Sequence, residues 1–211
     1  MSGQVAERAT TGTPVAGRRP GATVWFTGLP SAGKSTIAHA LADRLRADGT
    51  DVRVLDGDEV RPHLSQGLGF SRADRDTNVR RIGWVARLLA EHGVVTLVPV
   101  IAPYAAARDA VRADHLDHGV AFAEVHVSTR LEVTEARDVK GLYAKARRGE
   151  LSGLTGVDDP YEAPARPELV LDTEQLALED AVRRSQALVD ALVDGTHPIS
   201  TSPGSDARRS E

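Results

Sequence analysis

The sequence predicts an α/β fold, a five-stranded parallel sheet flanked by helices, on three observations. Apolar, β-branched runs alternate along the chain with segments of helical periodicity, an order that right-handed crossovers turn into a parallel sheet. The run Gly28-Leu29-Pro30-Ser31-Ala32-Gly33-Lys34-Ser35 fits G-x-x-x-x-G-K-[ST] and lies between a strand and a helix, the context this phosphate-binding motif requires. A length of 211 residues suits one domain with a full core and is short for two plus linkers. Together these predict a P-loop NTPase.

The elements follow in order. Val24 to Thr27 reads as a short buried strand, and Thr36 to Ala47 carries Ile37, Ala40, Leu41 and Leu45 at helical spacing. Val52 to Leu55, Val94 to Ile101, Ala121 to Val127 and Leu169 to Leu171 supply four more strands. Further helices are expected over Asp76 to His92, Arg108 to His118, Leu131 to Lys140 and Leu176 to Val193. Residues 1–21, rich in Gly, Thr, Pro and Arg without apolar periodicity, read as a flexible lead-in. Residues 196–211 read as a similar tail, leaving 22–195 as the domain.

Composition narrows the chemistry. A formal charge of -4 argues against a general nucleic-acid surface, and the absence of cysteine removes disulfides and thiol nucleophiles. No apolar run approaches the roughly 18 residues that would span a bilayer, so no membrane partner and a cytoplasmic location are expected. The histidines His39, His63, His92, His115, His118, His126 and His197 show no metal-ligand spacing. They read as surface or capping residues.

Within the motif, glycines permit a tight turn against phosphates, Lys34 brings positive charge and the Ser35 hydroxyl suits Mg²⁺. After the second strand, Asp56-Gly57-Asp58-Glu59-Val60-Arg61 sets carboxylates and an arginine at the sheet edge where ligands gather. Asp58 suits orienting or deprotonating an attacking hydroxyl, or holding Mg²⁺ through water, and Arg61 an anionic acceptor; a solvated turn with a capping aspartate also accounts for the run. Gly69 to Gly83 packs four arginines and Phe70 into one segment. Arg75 and Asn78, three apart, share a helical face, and Phe70 suits stacking on a base; a polar helix face over a core Phe70 is the plain alternative. In Glu135 to Arg148, Arg137 suits a nucleotide base and Lys140 its phosphates, in the position of a lid. A charged surface helix explains that cluster as well.

Taken in order, GLPSAGKST, LDGDEVR, GFSRADRDTNVRRIG, EVHVSTRLEVTEARDVKGLYAKARRGEL and LTGVDDPYEAPARPELVLDT resemble the adenylylsulfate kinases, from Val24 to Thr173. The resemblance implies a nucleotide-kinase-like sheet and transfer of the ATP γ-phosphoryl group to the 3′-hydroxyl of adenosine 5′-phosphosulfate (APS), with Mg²⁺, in sulfate assimilation. It places ATP phosphates on Gly28, Leu29, Pro30, Ser31, Ala32, Gly33, Lys34, Ser35 and Thr36. Asp58 becomes the acid beside the acceptor hydroxyl, and Arg137 lies near the adenine of ATP. Arg61, Phe70, Arg75 and Asn78, the Ile101 backbone and Lys140-Gly141-Leu142 are implied to hold the sulfonucleotide. A homodimer, with an ATP sulfurylase as possible partner, is also implied.

Three positions depart from the family pattern. Ala102 stands where the family commonly has a serine regarded as a phosphorylated intermediate, which removes that route and favours direct transfer. Leu154 replaces a phenylalanine that would face Phe70 across the adenine; base–aromatic stacking is worth roughly 1–3 kcal/mol. Ala105 replaces an arginine after Pro103-Tyr104 while Arg108 remains, so one anion contact is expected to be missing. Two other readings stay open: a kinase of the same fold acting on another nucleoside or small hydroxyl compound, and a silent nucleotide-binding module.

Overall fold

The computed structural model describes residues 20–196. The flexible segments expected at either end, and His197, lie outside the described residues apart from residues 20, 21 and 196. The strands are β1 (Ala22–Thr27), β2 (Val52–Val54), β3 (Val95–Pro99), β4 (Ala121–Val127) and β5 (Leu169–Leu171). The helices are α1 (Lys34–Ala47), α2 (Gly57–Leu64), α3 (Arg72–Glu91), α4 (Ala105–Asp117), α5 (Leu131–Arg137), α6 (Leu142–Arg147) and α7 (Leu178–Val193). All strand pairings are parallel, in the order β2-β3-β1-β4-β5.

β1 is central, and every one of its residues is buried, because parallel crossovers put helices on both faces of the sheet. On one face Ile37, Leu41 and Leu45 of α1 meet Val182 and Val189 of α7 over Val24, Phe26 and Leu97. On the other, Val79 and Ile82 of α3 and Val111 of α4 pack with Trp25, Val98 and Phe122. Burying a side chain such as Ile82 contributes roughly 1.5–3 kcal/mol, so two apolar layers hold the sheet between them and leave its carboxyl edge for chemistry.

The helices differ from the pattern-based expectation in several places, and four of the differences have a visible physical cause. α3 begins four residues early, because the Ser71 hydroxyl accepts from the Asp74 N–H at 3.2 Å and caps it. α4 begins at Ala105, whose N–H donates to the Glu162 carboxylate at 2.7 Å, a tertiary cap that no local pattern contains. The expected helix from Leu131 to Lys140 breaks at Asp138, with φ +26°, and resumes as α6 after Gly141, with φ +65°. α2 was not expected as a helix; Asp56 caps it through the Asp58 N–H.

His115 also corrects the expectation of a surface or capping role. It is fully buried, with Nδ1 on the Val111 carbonyl at 2.8 Å and Nε2 on the Thr23 hydroxyl at 3.0 Å. A carbonyl only accepts, so Nδ1 carries the proton and the Thr23 hydroxyl donates to Nε2. Burial pushes the imidazole down to about 4, and it is neutral in the folded protein.

Candidate active site

The phosphate loop leaves the end of β1 and closes on the first turn of α1. Gly33 caps that helix at φ +103°, a conformation glycine adopts without strain. A Cβ on Gly28 would stand 2.5 Å from the Val127 carbonyl oxygen, so the loop needs glycine there to lie against β4. Lys34 is buried, and its ammonium donates to the Gly28 and Leu29 carbonyls at 2.9 and 2.7 Å. Burial and then the neighbouring Lys140 charge lower it to about 7, against the pull of Asp56 and Asp58. Such a loop, with a cation already folded into it and a helix N-terminus beneath, is an anion cradle.

Further side chains fasten this cradle. The Thr129 and Thr173 hydroxyls both lie 3.1 Å from the Ala32 carbonyl oxygen, and the buried Tyr143 of α6 donates to the Pro30 carbonyl at 3.1 Å. Arg137 donates to Thr173 through both the side-chain hydroxyl, at 2.7 Å, and the carbonyl, which stations its guanidinium beside the loop. Gly141 and Leu142 occupy the start of α6.

Asp56 is the residue that motif reading left without a role. It is buried at the end of β2, where its Oδ2 accepts from Ser35 at 2.5 Å and its Oδ1 accepts from the Asp58 N–H at 2.9 Å. Its position at a strand's carboxyl end was visible in the sequence; its contact with Ser35, 21 residues away, was not. Asp58, by contrast, is exposed, and pairs with the Lys140 ammonium across the mouth of the site.

On the acceptor side, α3 and the segment before it bring together the residues expected there. Phe70 is 61% exposed, with the Arg61 guanidinium 4.1 Å and that of Arg75 5.7 Å from its ring centre, within cation–π reach. Arg75 donates to the carbonyls of Phe70 and Gly153 and to the Thr155 hydroxyl. One side chain thus ties α3 to the 153–155 turn. The Asn78 Oδ1 accepts from Ser65 at 2.5 Å, and its Nδ2 bonds no described residue. Leu154 is buried, held by hydrogen bonds from its own N–H and that of Gly153 to Asp158. The Ile101 carbonyl accepts from the Thr27 hydroxyl at 2.6 Å, which ties the segment after β3 to the end of β1. Arg108 is not a free cation that could replace the arginine missing at Ala105: it is buried and bonded to Glu124, Ala102 and Glu162.

Comparison with known proteins gives the family and the fold. A family model described as adenylylsulphate kinase matches residues 20–172. An adenylyl-sulfate kinase of Picosynechococcus sp. is 52% identical over 164 residues, 78% of this chain and 90% of the relative. The solved APS kinase of Mycobacterium tuberculosis, in complex with AMPPNP and APS, superposes with a TM-score of 0.79 at 44% identity, covering 81% of this chain and 98% of that one. A hexameric APS kinase from Thiobacillus denitrificans, of which 29% is covered, gives 0.62 at 42% identity over 82% of this chain. With its phosphate loop, acid and cation cluster on one sheet edge, the chain belongs to the adenylylsulfate kinase family of ATP-dependent phosphotransferases.

Proposed function

We propose that this chain transfers the γ-phosphoryl group of ATP to the 3′-hydroxyl of APS, giving 3′-phosphoadenosine 5′-phosphosulfate and ADP. One observation carries the residue assignment: the Asp56 carboxylate joins Ser35 of the phosphate loop to the backbone of Asp58. The donor cradle and the acceptor acid are therefore parts of a single hydrogen-bonded unit.

The hydroxyl oxygen forms a bond to the γ-phosphorus as the bond from phosphorus to the β,γ-bridging oxygen breaks, and ADP leaves with that electron pair. The hydroxyl proton passes to Asp58, which must first exchange Lys140 for the acceptor. Lys34 and the loop N–H groups from Gly28 to Thr36 hold the triphosphate and take up its developing charge. Ser35 and Asp56, two hard oxygen donors side by side, fit Mg²⁺, which would neutralise phosphate charge there. Arg137 lies against the ATP base. Arg61, Phe70, Arg75, Asn78 and the Ile101 backbone hold the sulfonucleotide, with Lys140, Gly141 and Leu142 closing over it. Ala102 has no hydroxyl, so transfer is direct.

Release of ADP from ATP and Mg²⁺ in the presence of APS tests this reading, beside a panel of other nucleosides and small alcohols. A folded enzyme that leaves APS untouched contradicts it. Asp58→Asn is expected to lower kcat by about 10²-fold or more with ATP affinity nearly unchanged; an unaltered kcat removes the assignment. A homodimer, a cytoplasmic location and an ATP sulfurylase as supplier of APS belong to the same reading. The first two rest on the family resemblance alone; the sulfurylase partner also has the match to a probable bifunctional SAT/APS kinase of Sorangium cellulosum at 51% identity, where this chain covers 29% of that protein.

A further inference from the structure

Arg108 contacts none of the groups that hold either nucleotide, yet it binds the segment that carries Ile101. Its side chain is 2% exposed. The guanidinium donates in three directions, from Nε to Glu124 at 2.6 Å, from Nη1 to the Ala102 carbonyl at 2.7 Å and from Nη2 to the Glu162 carbonyl at 2.6 Å. Glu124 is held in turn by Arg112 at 3.6 Å, which forks onto Glu168 at 2.6 and 2.8 Å. The buried cation is thus anchored by α4 and β4 and reaches out to two loops.

The residue it grips is strained. Ala102 sits at φ +42°, a region that L side chains rarely adopt and that persists only where surroundings enforce it. Here both flanking carbonyls are pinned. Thr27 donates to that of Ile101, so the Tyr161 hydroxyl, 3.1 Å away, donates to Thr27, while Arg108 holds that of Ala102. The second loop is laced to the first by the Glu162 N–H on the Pro103 carbonyl at 2.8 Å and by Tyr104 on Asp159 at 2.8 Å. Arg108 meets one carboxylate and two carbonyls from three separate nitrogens held in a planar fork, a spread that the single nitrogen of a lysine does not span although it too carries three N–H groups.

We propose that Arg108 is a positioning residue of the acceptor site: through the Ala102 and Glu162 carbonyls it enforces the strained turn that presents the Ile101 backbone to the acceptor nucleotide. This rests on the reading of Ile101 as an acceptor contact. It assigns Arg108 to acceptor affinity and leaves the phosphate loop independent of it.

Arg108→Lys keeps a charge for Glu124 and loses the fork. The expected result is a KM for APS raised about tenfold or more with the KM for ATP within about twofold. Adding Ala102→Gly should recover most of that loss, because glycine adopts positive φ without enforcement. An unchanged APS KM, a parallel rise in both KM values, or no recovery with glycine overturns the proposal. Absence of APS turnover in the unmodified enzyme overturns the functional reading and this inference together; turnover with an indifferent Arg108→Lys overturns the inference alone. Should Arg108→Lys not fold, Thr27→Val removes the other pin without a buried charge, and the same selective rise is expected; no rise overturns the proposal.

Discussion

Lys34 illustrates how much of the chemistry is decided at single residues. An ammonium in a buried loop beside Lys140 is only partly charged near neutrality, since it is drawn down to about 7. A bound triphosphate favours the charged form again. Nucleotide binding above that pH is therefore coupled to proton uptake, approaching about one proton per nucleotide at pH 8–9 and falling away toward pH 6. Calorimetry at pH 8 in buffers of different ionisation enthalpy reads this directly, and a binding heat independent of buffer contradicts it. Neither burial nor the approach of Lys140, 106 positions along, could be read from the motif, although the lysine itself could. Asp56 is the converse case: the sequence displays it, but only the fold shows that its two oxygens are divided between Ser35 and Asp58.

Among the elements, α3 carries Arg75 and Asn78, which the proposed function assigns to the acceptor, and its start decides whether they lie on one face. The Ser71 cap begins the helix before both residues. Ser71→Ala is expected to cost about 1 kcal/mol of stability, as lost N-caps do, and to weaken APS more than ATP; denaturant unfolding and the two KM values check it. An unshifted midpoint removes the cap from the account. The inner strands β1, β3 and β4 were legible because parallel strands buried on both faces read as apolar runs, and the edge strands β2 and β5, which expose Arg53 and Val170, as short β-branched segments between helical patterns. Helix ends set by distant partners were not: Ala105 is capped by Glu162, 57 residues on. The break at Asp138 was foreshadowed only by Gly141.

At the scale of the whole molecule, stability is linked to pH through His115, which joins α4 to β1. Its folded value of about 4 lies below the ordinary imidazole value of 6.5, so the unfolded chain binds the proton first on acidification. The contribution is complete above about pH 6.5 and is lost as pH falls toward 4, roughly 3 kcal/mol in all. His115→Gln keeps hydrogen-bonding groups and cannot titrate; the stability gap between wild type and variant should narrow by about that amount between pH 7 and pH 4. A gap that does not change with pH contradicts the burial argument. The place of His115 four residues after Val111 and eight after Ala107 sets it on the apolar face of α4, a local signal, but its bond to Thr23, 92 residues away, is set by the fold alone.

Thr27 ends the central strand one residue before the phosphate loop and at the same time bonds the Ile101 carbonyl. Under the proposed assignment of Ile101 to the acceptor, a single hydroxyl on the most deeply buried strand is therefore common to the start of the donor loop and to the acceptor's backbone contact, so its removal is felt first where the two meet.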